Sequence, residues 1–476
     1  MFSTEIKFVH FTGIGGTGMA AVAAAMQEKG FSVTGSDQNV YPPMSTFLAE
    51  KKIAVMNGYD EKNLAHKPDL VVIGNAISRG NPEAEFVLDH KLRYCSLAAL
   101  LAEFFIRGKR ALVVTGTHGK TTTTSLLAWV FEHSGLNPSF FIGGIPTNLG
   151  QGARFTDSEW FILEGDEYDT AFFDKRSKFI HYSPHVAVFN NLEFDHADIF
   201  RDLADVQRTF IHFSRIIPGN GFAVVNGDDH NLRALGPMPW TKVIRVGMEE
   251  CNDVRITDFA ETASGSSFTL LWRGATWGRV VWALSGTYNA RNAAMAATAA
   301  GLSFSGGDPS ALGLSALGSF RGVRRRQEVL VSTPLLTVIE DFGHHPTAIL
   351  ETLRSLRAKF PGAHLTAVFE PRSNTARVRT LQAGFERALS HADDVYLGAV
   401  SRAAALRDDE RFDSEAVAEH LEAQGIGARP FSSNAALLDA LAADTLPARG
   451  KPRVVIFFTN GSFDGIIGRY AASVPS

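Results

Sequence analysis

Residues 116–122 read Gly-Thr-His-Gly-Lys-Thr-Thr and lie between an apolar run at 111–115 and a helix-like stretch at 122–132. A glycine loop that ends in Lys-Thr where a helix begins is built to hold phosphate. Backbone N–H groups cradle the oxygens, Lys120 reaches the β- and γ-phosphates, and the Thr121 hydroxyl is placed to ligate Mg²⁺. The loop departs from the general eight-residue form, because Val114 stands where the first glycine would be and the turn opens at Gly116 instead. Thr117, Gly119 and Thr122 complete the phosphate-binding set, and His118 reads equally as a substrate contact or as loop packing.

A second glycine pattern, Gly13-x-Gly15-x-x-Gly18 with Gly16 and Thr17 inside it, follows a strand-like run at 6–11 and opens another helix. Such a turn lets the backbone approach a diphosphate at a helix N-terminus, and the physics does not distinguish NAD from UDP. Asp37, at the end of the next apolar run, reads either as a ribose ligand or as a solvated strand-end carboxylate.

In open α/β sheets ligands sit beyond the carboxyl ends of the strands, so the polar residues that follow each apolar run should converge. After Leu163 come Glu164, Asp166, Glu167 and Asp169. After the run 185–190 come Asn191, Glu193, Asp195, His196 and Asp198, and after Val225 come Asn226, Asp228 and Asp229. Carboxylates opposite a phosphate-loop threonine suit a hard Mg²⁺ ion whose shell phosphate oxygens complete. Thr121, Glu164 and His196 are the expected metal ligands. The remaining acids are expected to be caps and solvated charges, and His196 also reads as a hydrogen-bonded structural histidine.

The elements that must position these groups follow from length and pattern. A chain of 476 residues with 45 % apolar and 20 % charged residues, 43 Gly and 19 Pro is globular and long enough for about three domains. Strand-like and helix-like segments alternate throughout, which predicts an α/β protein. A Rossmann-like domain is expected over 1–108, a central P-loop ATPase α/β domain with a small antiparallel sheet near 265–284 over 109–319, and a second Rossmann-like domain over 320–476. Lys plus Arg is 46 against 50 for Asp plus Glu, a net charge of −4 that offers no bulk attraction to nucleic acid or anionic membrane. The start of the chain lacks an apolar leader and no run reaches the roughly 18–20 residues of a spanning helix, so a cytoplasmic location is expected. Cys95 and Cys251 are too few for a disulfide framework and are expected to be buried thiols.

The motifs together resemble the Mur ligase family of ATP-dependent amide-forming enzymes, over essentially the whole chain. The resemblance rests on FTGIGGTGMA at 11–20, GTHGKTTT at 116–123, Gly286-x-x-Asn289-x-x-Asn292, FRGVRRR at 320–326 and EDFGHHPT at 340–347. It implies that residues 13–18 hold the diphosphate of a UDP-sugar and that residues 116–122 hold ATP. Asn289 and Asn292 would lie near the adenine, with Arg324, Arg325, Arg326 and Asp341 reaching the nucleotide across a cleft. Lys120, Glu164, His196 and Arg325 would carry the chemistry, with ATP and Mg²⁺ as cofactors. Tyr288 stands where close relatives commonly have His. No lysine lies between Lys178 and Lys242, so the carbamylated lysine that several members use at a second Mg²⁺ is not expected.

DEYDTAFFDKRSKF at 166–179 and EPRSNT at 370–375 look most like the branch that joins the tripeptide L-Ala-γ-D-Glu-meso-diaminopimelate to UDP-N-acetylmuramate in peptidoglycan recycling. Arg372, Ser373 and Asn374 follow an apolar run that ends at Phe369 and are expected to face the peptide, unless Arg372 merely pairs with Glu370. The resemblance also admits the relative that adds free L-alanine. A different class, an NAD-dependent oxidoreductase using residues 13–18, leaves the phosphate loop at 116–122 unexplained. The partners expected are small molecules only, and the chain is expected to be a monomer or a weak homo-oligomer.

Overall fold

A computed structural model describes residues 6–447 and 450–475. Strand Phe8–Thr12 lies at the centre of a five-stranded parallel sheet, flanked by Ser32–Asp37 and Leu70–Ile73, with Ala54–Asn57 and Tyr94–Ser96 at the edges. The order, outward in both directions from the first strand, is the doubly wound arrangement. Its central strands are covered on both faces, and Leu70–Ile73 is accordingly apolar and buried at every position.

The second sheet has ten strands. Its core is a parallel set in which Arg110–Thr115 pairs with Trp160–Glu164 on one side and Val186–Phe189 on the other, followed by Phe222–Asn226 and Lys242–Gly247. The expected hairpin near 265–284 is the outer part of a three-strand antiparallel meander, Val254–Thr262, Gly265–Trp272 and Ala275–Trp282. It is appended to this sheet edge to edge, as the antiparallel pattern implies. Two helices cover the face behind the phosphate loop, Lys120–His133 and the alanine-rich Thr287–Ser305. The buried run 293–301, small at every position but Met295, lets the second helix approach closely, and buried hydroxyls in the first bond back along it, Ser125 to the Thr121 carbonyl and Thr124 to that of Lys120.

The third sheet has six strands, parallel except for the edge strand Glu328–Ser332. Separate apolar clusters fill its two faces. The first two sheets are less independent: one cluster runs from Phe11 through Phe105 to Phe161 and Phe189. The connection into the third sheet is also tied down. Val323 bridges Pro146, Arg324 donates to the Ile145 carbonyl at 3.0 Å, and Arg321 N donates to Asn148 Oδ1 at 2.7 Å.

Cys95 is buried, but Cys251 is exposed. It lies in the largely solvent-exposed connection 248–253 between two strands, so the expectation of two buried thiols holds for one of them.

Candidate active site at the sheet ends

Parallel registration brings the polar strand ends together. Glu164 pairs with Val114, and Thr115 with Phe189, so residues widely separated in sequence end at one edge of the sheet. The phosphate loop is held there from two sides. Thr117 Oγ1 donates to the Glu193 carbonyl at 3.1 Å, and His118 N donates to Asn191 Oδ1 at 2.7 Å. Behind the loop, Asn190 donates to Thr123 at 2.8 Å, and Asn289 donates to the Ser285 carbonyl at 2.7 Å. Gly119 turns with φ +74°, and a Cβ there would lie 2.5 Å from Asn292 Oδ1. Gly116 has φ +134°, and a Cβ would fall 2.9 Å from that of Asn190. Only glycine fits either position without displacing the asparagines. Asn292 packs directly behind the loop with Asn289 beside it, and both also line the cleft that the loop opens into.

Lys120 is curled into the loop. Its ammonium donates to the Gly116 carbonyl at 2.7 Å and pairs with Glu167 at 2.7 Å. Burial opposes its charge, but Glu167 and Asp166 outweigh burial and hold its pKa above the ordinary value. Glu167 is 3 % exposed and also meets His196 Nε2 at 3.2 Å. Burial works against the imidazolium of His196 too, and is outweighed by Glu167 and Asp195, so its pKa is raised. Glu167 was expected to be an ordinary loop acid. It is the anion shared by the lysine and the histidine, and only its place three residues after Glu164 hints at this in the sequence.

Thr121 Oγ1 donates to Glu164 Oε1 at 2.9 Å, and Glu164 Oε2 accepts from Gly143 N at 2.7 Å. Burial pushes the Glu164 carboxyl up, since Lys120 only partly offsets it. A hydroxyl and a carboxylate side by side at the mouth of the glycine cradle are hard oxygen donors of the kind Mg²⁺ takes with phosphate. His196 joins them only through Glu167 and Lys120, so of the three expected metal ligands the structure pairs two directly.

Across the cleft, Arg326 reaches Thr121 Oγ1 at 3.3 Å, and burial beside it raises the pKa of Asp341. Arg325, expected in the catalytic set, turns the other way. It has a left-handed backbone, φ 62°, and donates to Glu340 at 2.6 Å and to the carbonyls of Thr459 and Gly461. The reach across the cleft therefore belongs to Arg326. Tyr288 lines the same cleft and accepts from Gln327.

Arg372 lies 3.6 Å from Glu370 and packs against Gly461. Ser373 Oγ accepts from Ala376 N at 3.0 Å, and Asn374 donates to Asp198 at 2.8 Å. All three line the cleft of about 1430 Å³ that the phosphate loop opens into. At the other glycine turn, Asp37 accepts from Gly15 N at 2.8 Å and from Gln38 N at 2.7 Å, so it braces the loop of residues 13–18. Beneath that turn sits Glu83, fully buried and not anticipated, which accepts from Ser36, Thr12 and Asn63 at 2.6–2.7 Å.

Known families match consecutive stretches of the chain. "Mur ligase family, catalytic domain" covers residues 8–109, "Mur ligase middle domain" 114–300, and "Mur ligase, glutamate ligase domain" 325–458. The UDP-N-acetylmuramate–L-alanyl-γ-D-glutamyl-meso-2,6-diaminoheptandioate ligase of Haemophilus influenzae is 45 % identical over 82 % of this chain and 85 % of its own. The chain belongs to the Mur ligase family. The UDP-N-acetylmuramate–L-alanine ligase of Hydrogenovibrio crunogenus is 34 % identical over 88 % of this Mur ligase and 89 % of its own length. A crystal structure of a murein peptide ligase from Psychrobacter arcticus superposes with a TM-score of 0.69 at 33 % identity, covering 98 % of this chain and 99 % of that one. Among the described residues of this Mur ligase, no helix is long and apolar enough to cross a membrane.

The acids of the site give the Mur ligase a defined response to pH. Burial works against the charge of Asp166 and of Glu193. Lys178 and Lys120 outweigh it at Asp166, and His118 and His345 at Glu193, leaving both near 2. A carboxylate with a depressed folded pKa stabilises the fold above its unfolded value and loses that contribution as pH falls through the folded one. The contribution of these two acids to the unfolding free energy in urea titrations is therefore expected to be level near neutrality and to be lost between about pH 4.5 and pH 2.

Proposed function

We propose that this Mur ligase joins L-Ala-γ-D-Glu-meso-diaminopimelate to UDP-N-acetylmuramate with conversion of ATP to ADP and phosphate. The observation that carries the reading is one cleft with the glycine cradle and Lys120 on one wall and Arg372, Ser373 and Asn374 on the other. The 45 % identity to the H. influenzae tripeptide ligase, against 34 % to an L-alanine ligase, favours the peptide over the free amino acid.

A carboxylate does not condense with an amine at neutral pH until one oxygen becomes a leaving group. Transfer of the γ-phosphoryl to the muramate carboxylate breaks the bond to ADP and gives an acyl phosphate. The alanine amine then attacks that carbon, and phosphate departs. Lys120 and Arg326 face the charge that develops on the transferred group, and such positioned charge supplies most of the acceleration in phosphoryl transfer. Thr121 and Glu164 would hold Mg²⁺, which would neutralise phosphate charge when bound. The loop of residues 13–18, braced by Asp37, is proposed to carry the UDP diphosphate. The C-terminal domain, docked on residues 193–198, keeps water from the activated acid. The three sheets are proposed to divide the work as UDP-sugar, ATP and amine domains, in a cytoplasmic enzyme acting as a monomer or weak homo-oligomer.

An ADP-release assay with UDP-N-acetylmuramate and a panel of amines tests this. Turnover with the tripeptide and little with free L-alanine is expected, and the reverse would assign the chain to alanine addition. Arg372→Ala is expected to raise the tripeptide KM by about 10–100-fold, as loss of a charge-assisted hydrogen bond implies, with the KM for ATP nearly unchanged. Equal changes in both would remove Arg372 from peptide recognition.

A further inference from the structure

Beside the phosphate loop, on the side facing the C-terminal domain, two histidines from different domains converge on one carboxylate. His118 Nε2 lies 3.1 Å from Glu193 Oε2, and His345 Nδ1 lies 3.4 Å from the same oxygen. The ligand atoms of all three residues fall within 4.8 Å of one another. Thr121, Glu164 and His196 take no part in this group.

The tautomer of His345 follows from its neighbours. Its Nε2 faces the Phe194 carbonyl at 3.3 Å, a contact only an N–H can make, and its Nδ1 accepts from Thr347 N at 3.3 Å at the start of helix Pro346–Lys359. The single Nδ1 lone pair is held by the Thr347 N–H only at 3.3 Å and lies 3.4 Å from Glu193 Oε2, so a metal seated beside the carboxylate would take it from the helix. The surroundings also match what orients metal ligands elsewhere: a ring N–H anchored on a backbone carbonyl, and a carboxylate held by a hydroxyl, here Thr347 Oγ1 at 2.7 Å from Glu193 Oε2. A metal bound at about 2.0–2.1 Å in tetrahedral geometry sets its ligand atoms about 3.3 Å apart, and two of the three separations already have that length.

The geometry points to a transition-metal site formed by His118, Glu193 and His345, separate from the Mg²⁺ donors and bridging the central and C-terminal domains. Two imidazoles and one carboxylate with a fourth position open suit Zn²⁺ and disfavour Mg²⁺, which prefers oxygen. Because His345 arrives on the C-terminal domain, the site is complete only while the domains are together, and an ion there fastens the phosphate loop to the opposite wall. Zn²⁺ is therefore expected to slow turnover by resisting opening.

The test is a titration of the full-length protein with Zn²⁺ against a chromogenic chelator, in excess Mg²⁺ and without nucleotide. One tightly bound Zn²⁺ per chain is expected, and Co²⁺ in its place should give the intense visible absorption of a tetrahedral ion. Glu193→Gln and His345→Asn should each weaken Zn²⁺ binding by more than about 100-fold. Thr347→Val, which removes only the supporting hydroxyl, should weaken it by about 10-fold. Asparagine at 345 can still cap the helix, and circular dichroism checks the fold of each variant. No Zn²⁺ binding in excess Mg²⁺, an octahedral Co²⁺ spectrum, or unchanged affinity in both Glu193→Gln and His345→Asn would overturn the proposal. Since the readout is metal binding, it stands or falls independently of which amine the enzyme uses.

Discussion

Lys120→Ala is expected to lower ADP release with saturating substrates by about 10³-fold, the scale on which removal of one preorganised donor at a developing charge is felt. The ammonium is already placed inside the loop it serves, bonded to the Gly116 carbonyl and to Glu167. A nucleotide need only draw it from these partners toward phosphate. Arginine should rescue poorly, because its fork is too large for a pocket in which the lysine side chain is 13 % exposed. The measurement is steady-state ADP release alongside circular dichroism and nucleotide affinity. Undiminished turnover in a folded variant would remove the phosphate loop from the chemistry.

The second large effect is on stability. Glu167 is the buried anion between Lys120 and His196, and its removal takes away the main counter-charge they share, leaving Asp166 near the lysine and Asp195 near the histidine. Breaking a buried ion pair from one side destabilises by about 3–5 kcal/mol, so Glu167→Ala is expected to reduce the unfolding free energy by that amount in urea titrations. Glutamine keeps the hydrogen-bonding shape without the charge and should fall between wild type and alanine. The lysine pKa should also drop in both variants, because Glu167 is the main counterweight to its burial. A loss below about 1 kcal/mol in Glu167→Ala would show that water replaces the carboxylate.

Much of this architecture is legible in the sequence, because buried parallel strands must be apolar at every position and their polar ends must meet at one edge. That reasoning leads directly from Leu163 to Glu164 and from Val225 to Asn226. It fails where the outcome depends on a single backbone turn. Arg324, Arg325 and Arg326 are chemically alike, and only the left-handed conformation at Arg325 sends that side chain away from Thr121 and leaves Arg326 to make the contact. Glu164 and Glu167 are equally acidic in sequence. Their division into a partner of Thr121 and a partner of Lys120 depends on how the chain leaves the strand. Cys251 misleads for a related reason, because apolar character says nothing about whether a connection is covered.

The clamped connector sets the leverage of any domain movement. With Val323 bridged to Pro146 and Arg324 bonded to Ile145, rotation can begin only beyond Arg324, and Arg325 and Gln327 already carry the left-handed backbone of a sharp bend. Arg326 sits on that pivot and moves least, while Arg372 and Asn374 ride at the end of the swinging arm. On the proposed division of substrates, Arg326 would stay beside the phosphate loop while the far wall swings out, so that one substrate could be exchanged with the other still held.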